Sequence, residues 1–268
     1  MRSREGTGMS FGKVIVITGA SSGIGAELAR RLAAQGHHLV LAARRREELE
    51  AVAEQCGPET LAVVTDVRRR GDVEHLLERA LDKRGQVDVW INNAGRGIAR
   101  RVMDLTDDDV DEMMAVNLKS ALYGMQVVVP HFMESGEGHL INVSSFLSRV
   151  PLATIRSVYS ASKAALNSLT ANLRMDLRQE FPNIHVSVVM PGVVTTDFAG
   201  NALGDAPAVP PPPGTMKPQS VEDVAAAIAN LIENPVPEIY TNPASADIVR
   251  RYYADVAAFE AGMGQPPR

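Results

Sequence analysis

Cysteine is almost missing from this chain. Cys56 is the only one, which excludes an intrachain disulfide and a metal cluster built on thiolates. Long apolar runs are missing too: no uncharged apolar stretch approaches the ~18 residues of a membrane-spanning helix. Positive charge is not in excess. A net charge of −5 argues against a protein that holds nucleic acid by neutralising phosphates. His131 and His139 lack a carboxylate or histidine partner at ligand spacing, so no metal site is expected. Residues 1–10 are polar and carry no apolar signal-peptide core. They read as a leader, with Met9 as an alternative start, and the expected location is the cytoplasm. There is no internal repeat and no linker. A length of 268 residues, 22% charged and 45% apolar, fits one α/β domain or two small ones.

What the chain has is alternation. Short β-branched runs at 13–17, 37–43, 61–65, 87–91, 140–143, 184–190 and 238–241 read as strands. Helical patterns lie between them, at 26–35, 47–55, 72–83 and 221–233. A long helix is opened by Thr106 with Asp109 three residues on, a capping box, and runs to about 133. Another carries Tyr159 and runs to about 180. Strands alternating with helices imply a parallel sheet covered on both faces. The expected architecture is one Rossmann-type doubly wound domain over 11–268, with about seven strands.

Polar clusters end several of these strands. Thr18-Gly19-Ala20-Ser21-Ser22-Gly23-Ile24-Gly25 joins the first strand to the first helix. Glycines let a backbone approach a pyrophosphate, and a helix N-terminus offers free N–H groups to it. An ordinary tight turn is the alternative. Asn92-Asn93-Ala94-Gly95 ends the fourth strand, and Asn142-Val143-Ser144-Ser145 the fifth. In open parallel sheets ligands sit beyond such ends. Shortly afterwards come Tyr159 and Lys163, four residues apart and so one helical turn from each other. An ammonium beside a phenol lowers its pKa from about 10 and suits it to acid–base work near neutrality. A packed aromatic under a solvated amine has the same spacing.

Taken together, these motifs resemble the short-chain dehydrogenase/reductase family over residues 13–241. The match comprises T-G-x-x-x-G-x-G at Thr18 to Gly25, Asp66, N-N-A-G ending at Gly95, and Asn117 in the long helix. It continues through Ser145, Y-x-x-x-K at Tyr159 and Lys163, and Pro191-Gly192 with Thr196. The resemblance implies an oxidoreductase that interconverts a small carbonyl compound and a secondary alcohol through a nicotinamide cofactor. Tyr159 would be the acid/base and Ser145 would hold the carbonyl oxygen. Lys163 would bind the nicotinamide ribose and lower the Tyr159 pKa, and Asn117 would hold a water. Gly19, Ser21, Ser22, Gly23, Ile24 and Gly25 would cradle the pyrophosphate. Asp66 would meet the adenine amino group beside Val67, and Asn93, Ala94 and Gly95 would line the adenine ribose. Pro191, Val194 and Thr196 would clamp the nicotinamide end. Ser145 and Tyr159 stand one residue further apart than the family's usual spacing. Ser144 is therefore the alternative serine, and Ser148 the least favoured. A homodimer or homotetramer is implied, paired through the helices near Asn117 and Tyr159. The alternative function is a non-catalytic NADP-binding sensor or scaffold of the same fold.

The cofactor can be argued from charge. NAD sites place a carboxylate about 20 residues past the glycine turn, on the ribose 2′-OH. Here that position is Ala43, and Arg44 and Arg45 follow. Losing a carboxylate and gaining a guanidinium favours a 2′-phosphate, hence NADP rather than NAD. Arg44 is the principal contact and Arg45 a helper. A second basic run at 68–70 reads as solvated. A substrate lid is expected over about 196–218, stiffened by four prolines at 210–213. One C-terminal helix is expected over 246–261, striped by Ile248, Tyr252, Val256 and Phe259.

Overall fold

In this computed structural model, residues 12–195, 198, 200, 202–204 and 217–263 are described. The leader at 1–10, Thr196 and the prolines at 210–213 lie outside the described residues. Seven parallel strands form one sheet in the order β3-β2-β1-β4-β5-β6-β7. They are β1 Val14–Thr18, β2 His38–Ala43, β3 Leu61–Val64, β4 Val89–Asn92, β5 Gly138–Val143, β6 Ile184–Met190 and β7 Glu238–Tyr240. The first helices are α1 Gly23–Ala34, α2 Arg46–Cys56 and α3 Arg70–Arg84.

Side chains alternate across each strand, so a strand buried on both faces must be apolar throughout. In β1, Ile15 and Ile17 pack on one face against Leu28, Leu32 and Leu49 of α1 and α2. Val16 faces the other way, with Trp90, Leu140 and Leu76 of α3. The chain leaves β1 towards β2 and β3, then returns to place β4 on β1's other side. This reversal opens a crevice beyond the carboxyl ends of β1 and β4.

Thr106 and Asp109 form the capping box expected from their spacing, with Asp109 N donating to Thr106 Oγ1 at 3.2 Å. The helix that follows is not continuous. It consists of α4 Asp107–Met114, a wide π turn Ala115–Lys119, and α5 Ser120–Ser135. Beyond β5 come α6 Ser157–Leu177 and, after β6, α7 Val221–Glu233, which has its own capping box from Ser220 and Asp223. The C-terminal segment is two helices, not one: α8 Ser245–Ala254 and α9 Val256–Gly262. Asp255 divides them because its extended backbone frees its carboxylate to cap α9, accepting from Ala258 N at 2.9 Å. The break keeps Ile248, Tyr252 and Phe259 on the body, against Phe146 and Val150, and leaves Val256 exposed. No helix among the described residues is long and apolar enough to cross a membrane.

Candidate active site

The crevice is seamed by Thr18 and Asn93. Thr18 Oγ1 donates to Ile91 O at 3.2 Å and accepts from the backbone N–H groups of Asn93 and Ala94 at 3.0 and 3.1 Å. Asn93 Nδ2 donates to the carbonyls of Thr18 and Gly19 at 2.9 and 3.2 Å. The ends of β1 and β4 are thereby locked together under the glycine turn. Gly19 has φ +68°, and a Cβ there would lie 2.8 Å from Ala94 Cα. A Cβ on Gly25 would lie 2.5 Å from Gly19 O. No side chain fits at either position. Helix α1 begins at Gly23, earlier than its apolar pattern suggests, and no side chain caps its first N–H groups. The turn therefore presents open backbone and the positive end of a helix.

Ser145, Tyr159, Lys163 and Asn117 are all buried at the neighbouring strand ends. Three serines are separated by their partners. Ser145 Oγ accepts from Leu147 N at 3.2 Å and faces Tyr159, whose phenol it acidifies. Ser144 Oγ turns away and donates to Lys163 O at 3.2 Å, and Ser148 Oγ accepts from Asn167 Nδ2 at 2.6 Å. Lys163 Nζ donates to Val143 O at 2.8 Å. Gly95 joins this group to Asn117: a Cβ on it would stand 3.1 Å from Asn117 Oδ1 and 3.5 Å from Lys163 Nζ.

Burial pushes the Tyr159 phenol above its ordinary value, opposed by Ser145 and by the Arg156 guanidinium nearby. Burial also pushes the Lys163 ammonium down to about 8. A protonated phenol held against a serine hydroxyl is a proton donor aimed at whatever oxygen the two share.

The π turn carries Asn117. Its Oδ1 accepts from Arg96 N at 2.9 Å, and its Nδ2 donates to Arg96 O at 3.0 Å and Ser162 Oγ at 3.2 Å. Within the turn the backbone pairs five residues apart, Asn117 is tied to Arg96 and Ser162, and such turns recur at functional sites. A further buried ladder fixes the frame. Trp90 Nε1 donates to Asn92 Oδ1, and Asn92 Nδ2 donates to Asn142 Oδ1, both at 2.8 Å. Asn142 Nδ2 then donates to Thr170 Oγ1 on α6 at 3.0 Å. Trp90 and Thr170 in this ladder carry no sequence signal beyond packing.

On the other side of the crevice the basic run at 68–70 is not simply solvated. Arg68 pairs with Asp66 at 2.7 Å and with Glu112 at 3.1 Å, and Glu112 in turn meets Arg96 at 3.3 Å. The Arg68 guanidinium holds the Asp66 carboxyl below its usual range. Arg70 lies 4.7 Å over the Tyr123 ring. Arg45 reaches the glycine turn, donating to Ser21 Oγ at 3.1 Å and Ser22 Oγ at 2.9 Å, whereas Arg44 is exposed. Val67 is buried beside Asp66. Pro191 O accepts from Phe146 N at 2.8 Å, and Val194 bridges to Gln219.

Known proteins resemble this chain in sequence and fold. The model of a family described as short chain dehydrogenase matches residues 13–206. An uncharacterized oxidoreductase of Staphylococcus epidermidis is 33% identical over 194 residues, 72% of this chain and 83% of that protein. A short chain dehydrogenase/reductase of Burkholderia phymatum, solved in complex with NAD, superposes with a TM-score of 0.84 at 28% identity, covering 97% of this chain and 99% of its own. An alcohol dehydrogenase of the archaeon Thermococcus sibiricus, solved with 5-hydroxy-NADP, superposes at 0.74 with 29% identity, over 86% and 96% of the two chains.

Proposed function

This chain belongs to the short chain dehydrogenase family as an NAD(P)-dependent oxidoreductase, and from that premise we propose that it interconverts a carbonyl compound and a secondary alcohol with NADP(H). The observation that carries the reading is the burial of Ser145, Tyr159, Lys163 and Asn117 together at the strand ends, with Gly95 between Asn117 and Lys163. The residues present fit the cofactor, because the glycine turn leaves no room for a Cβ and its helix N-terminus is uncapped. Gly19, Ser21, Ser22, Gly23, Ile24 and Gly25 would hold the pyrophosphate. Asp66, Val67, Asn93 and Ala94 would hold the adenosine, and Lys163, Pro191 and Val194 the nicotinamide end. Thr196 belongs to the same reading. When bound, the cofactor supplies or accepts hydride at the substrate carbon.

The chain's own residues do the rest. Ser145 holds the carbonyl oxygen and stabilises the charge that develops on it. In reduction Tyr159 would give that oxygen its proton as the carbon gains hydride, leaving the alcohol and a phenolate at Tyr159. In oxidation Tyr159 takes the proton back. Lys163, charged at neutral pH, would favour the phenolate that reduction leaves behind and oxidation starts from.

NADP is favoured over NAD because Ala43 offers no carboxylate and two guanidiniums follow it, one of them standing on Ser21 and Ser22. Titration of NADPH and NADH, and turnover of a panel of ketones and aldehydes, test the reading together. Wild type should prefer NADPH, and Arg44→Ala and Arg45→Ala should each lower that preference about tenfold or more. Tyr159→Phe should cut kcat by roughly 10²–10⁴. A preference for NADH would overturn the NADP assignment. Cofactor binding with no turnover of any carbonyl or alcohol would leave the sensor or scaffold.

A further inference from the structure

We propose that Arg156 selects substrates bearing a carboxylate, so that the pair interconverted at Tyr159 is an oxo acid and its hydroxy acid. The inference rests on the oxidoreductase reading above and deepens it.

Arg156 immediately precedes α6, three residues before Tyr159, so the two side chains rise on one face. Its backbone is pinned on both sides. Arg156 N donates to Ala153 O at 2.9 Å, Arg100 N to Ile155 O at 2.8 Å, and Ser157 Oγ to Arg100 O at 2.8 Å. The guanidinium is pinned at one corner, where Nη1 donates to Ile98 O at 2.9 Å. A Cβ on Gly97 would stand 2.9 Å from Arg156 Nη1 and 2.9 Å from Phe198 Cε1. The Phe198 ring meets the Tyr159 ring edge-on, with centroids 5.7 Å apart. Arg156 and Phe198 therefore pack directly over Gly97, with Phe198 in turn against Tyr159. A side chain at 97 would push the guanidinium and the ring from these positions.

Charge separates Arg156 from its neighbours. Arg96 has Glu112, Arg100 has Asp109 at 3.3 Å, and Arg149 has Glu238 at 2.8 Å. Arg156 is half-buried, and among the described residues no carboxylate pairs with it. Its recorded partner is a single carbonyl. A partly desolvated guanidinium with spare donors is unfavourable until an anion meets it. Burial already draws its pKa down, and the charge that opposes this is that of Tyr159. A planar fork on the Tyr159 side of α6, close enough for its charge to be felt at the phenol, matches a carboxylate bidentately. Holding Ile98 O alone would need only one donor.

The test uses 3-oxobutanoate, 4-oxopentanoate and 5-oxohexanoate with NADPH, each against its own methyl ester. The quantity read is the acid-to-ester ratio of kcat/KM, in which any effect of Arg156 on Tyr159 itself cancels. In wild type at least one acid should exceed its ester tenfold or more. Arg156→Gln should lower that ratio by about 10- to 100-fold, mainly through KM for the acid. Arg156→Lys, which keeps the charge without the fork, should recover part of it and guards against a folding defect in the glutamine variant. Esters used as well as acids, or a ratio unmoved by Arg156→Gln, would overturn the inference and leave the carbonyl reductase standing. Turnover of neutral carbonyls but of none of the three acids would do the same. No turnover of any carbonyl would sink the oxidoreductase reading instead.

Discussion

The two edges of the sheet both carry polar side chains, and they use them differently. At the amino edge Asp88, His131, His139 and Ser187 are bonded within the chain. The Asp88 carboxylate accepts from Val14 N at 2.6 Å and from Gln86 Nε2 at 3.0 Å. His131 Nε2 accepts from Val87 N at 3.1 Å. Ser187 Oγ donates to Val236 O at 2.7 Å, so it must accept from the Nε2–H of His139 at 2.8 Å. At the carboxyl edge an internally bonded frame of Thr18, Asn92, Asn93 and Asn142 surrounds Ser145, Tyr159, Lys163 and Asn117, buried together. His139 is pushed down to about 3, further than Lys163 at about 8, yet it faces strand and helix and no cavity partner. A displaced pKa inside a fold reports burial first. Only convergence on room for a ligand makes it a candidate for chemistry.

The sharpest way to separate the edges is Lys163→Met. Turnover should fall about a hundredfold or more, while the melting temperature holds or rises, because a buried ammonium is replaced by a shape-matched apolar chain. A large drop in melting temperature together with retained activity would erase the distinction. Asp88→Ala should show the reverse pattern. It orphans the Val14 N–H and should cost about 1–3 kcal/mol in denaturant unfolding, with KM for NADPH changed less than twofold.

The smallest effect is a slope. His139 is neutral in the folded chain down to about pH 3, whereas its unfolded value is 6.5. Between those values the unfolded chain binds a proton that the folded chain does not, so stability falls as pH drops from 6.5 towards 3. It is unaffected by His139 above pH 6.5. His139→Gln keeps a donor for Ser187 and should flatten that slope in urea midpoints measured from pH 7 to pH 4.5. An unchanged slope would mean that other groups carry the acid sensitivity.

The strands were legible because a doubly buried parallel sheet leaves its mark as apolar β-branched runs such as Val14 to Ile17. The Thr106 cap was legible because both its partners lie within one turn. The glycine turn and the Tyr159–Lys163 spacing are local in the same sense. What escaped the sequence depends on partners far along the chain. The π turn has no glycine or proline to betray it, and the partners of its Asn117, Arg96 and Ser162, lie up to 45 residues away. Arg68 looked solvated because Glu112, 44 residues on, became its neighbour only through folding. The break at Asp255 is short-range but ambiguous, since an aspartate within helical periodicity can cap a new helix as readily as continue an old one.

The wide turn at Ala115–Lys119 also makes chain length itself a variable of the site. An α-helix advances 100° per residue, so an extra residue would ordinarily swing everything after it off the sheet. A π turn swallows the extra residue locally and hands α5 on with its face towards Trp90 and Leu140 intact. Taking one residue out of that turn would close it into an unbroken α-helix and shift the turn's own side chains, the packed Val116 and Leu118 as well as Asn117 with its bonds to Arg96. The extra residue thus sits in the middle of the framework, where the helix is tied to the crevice.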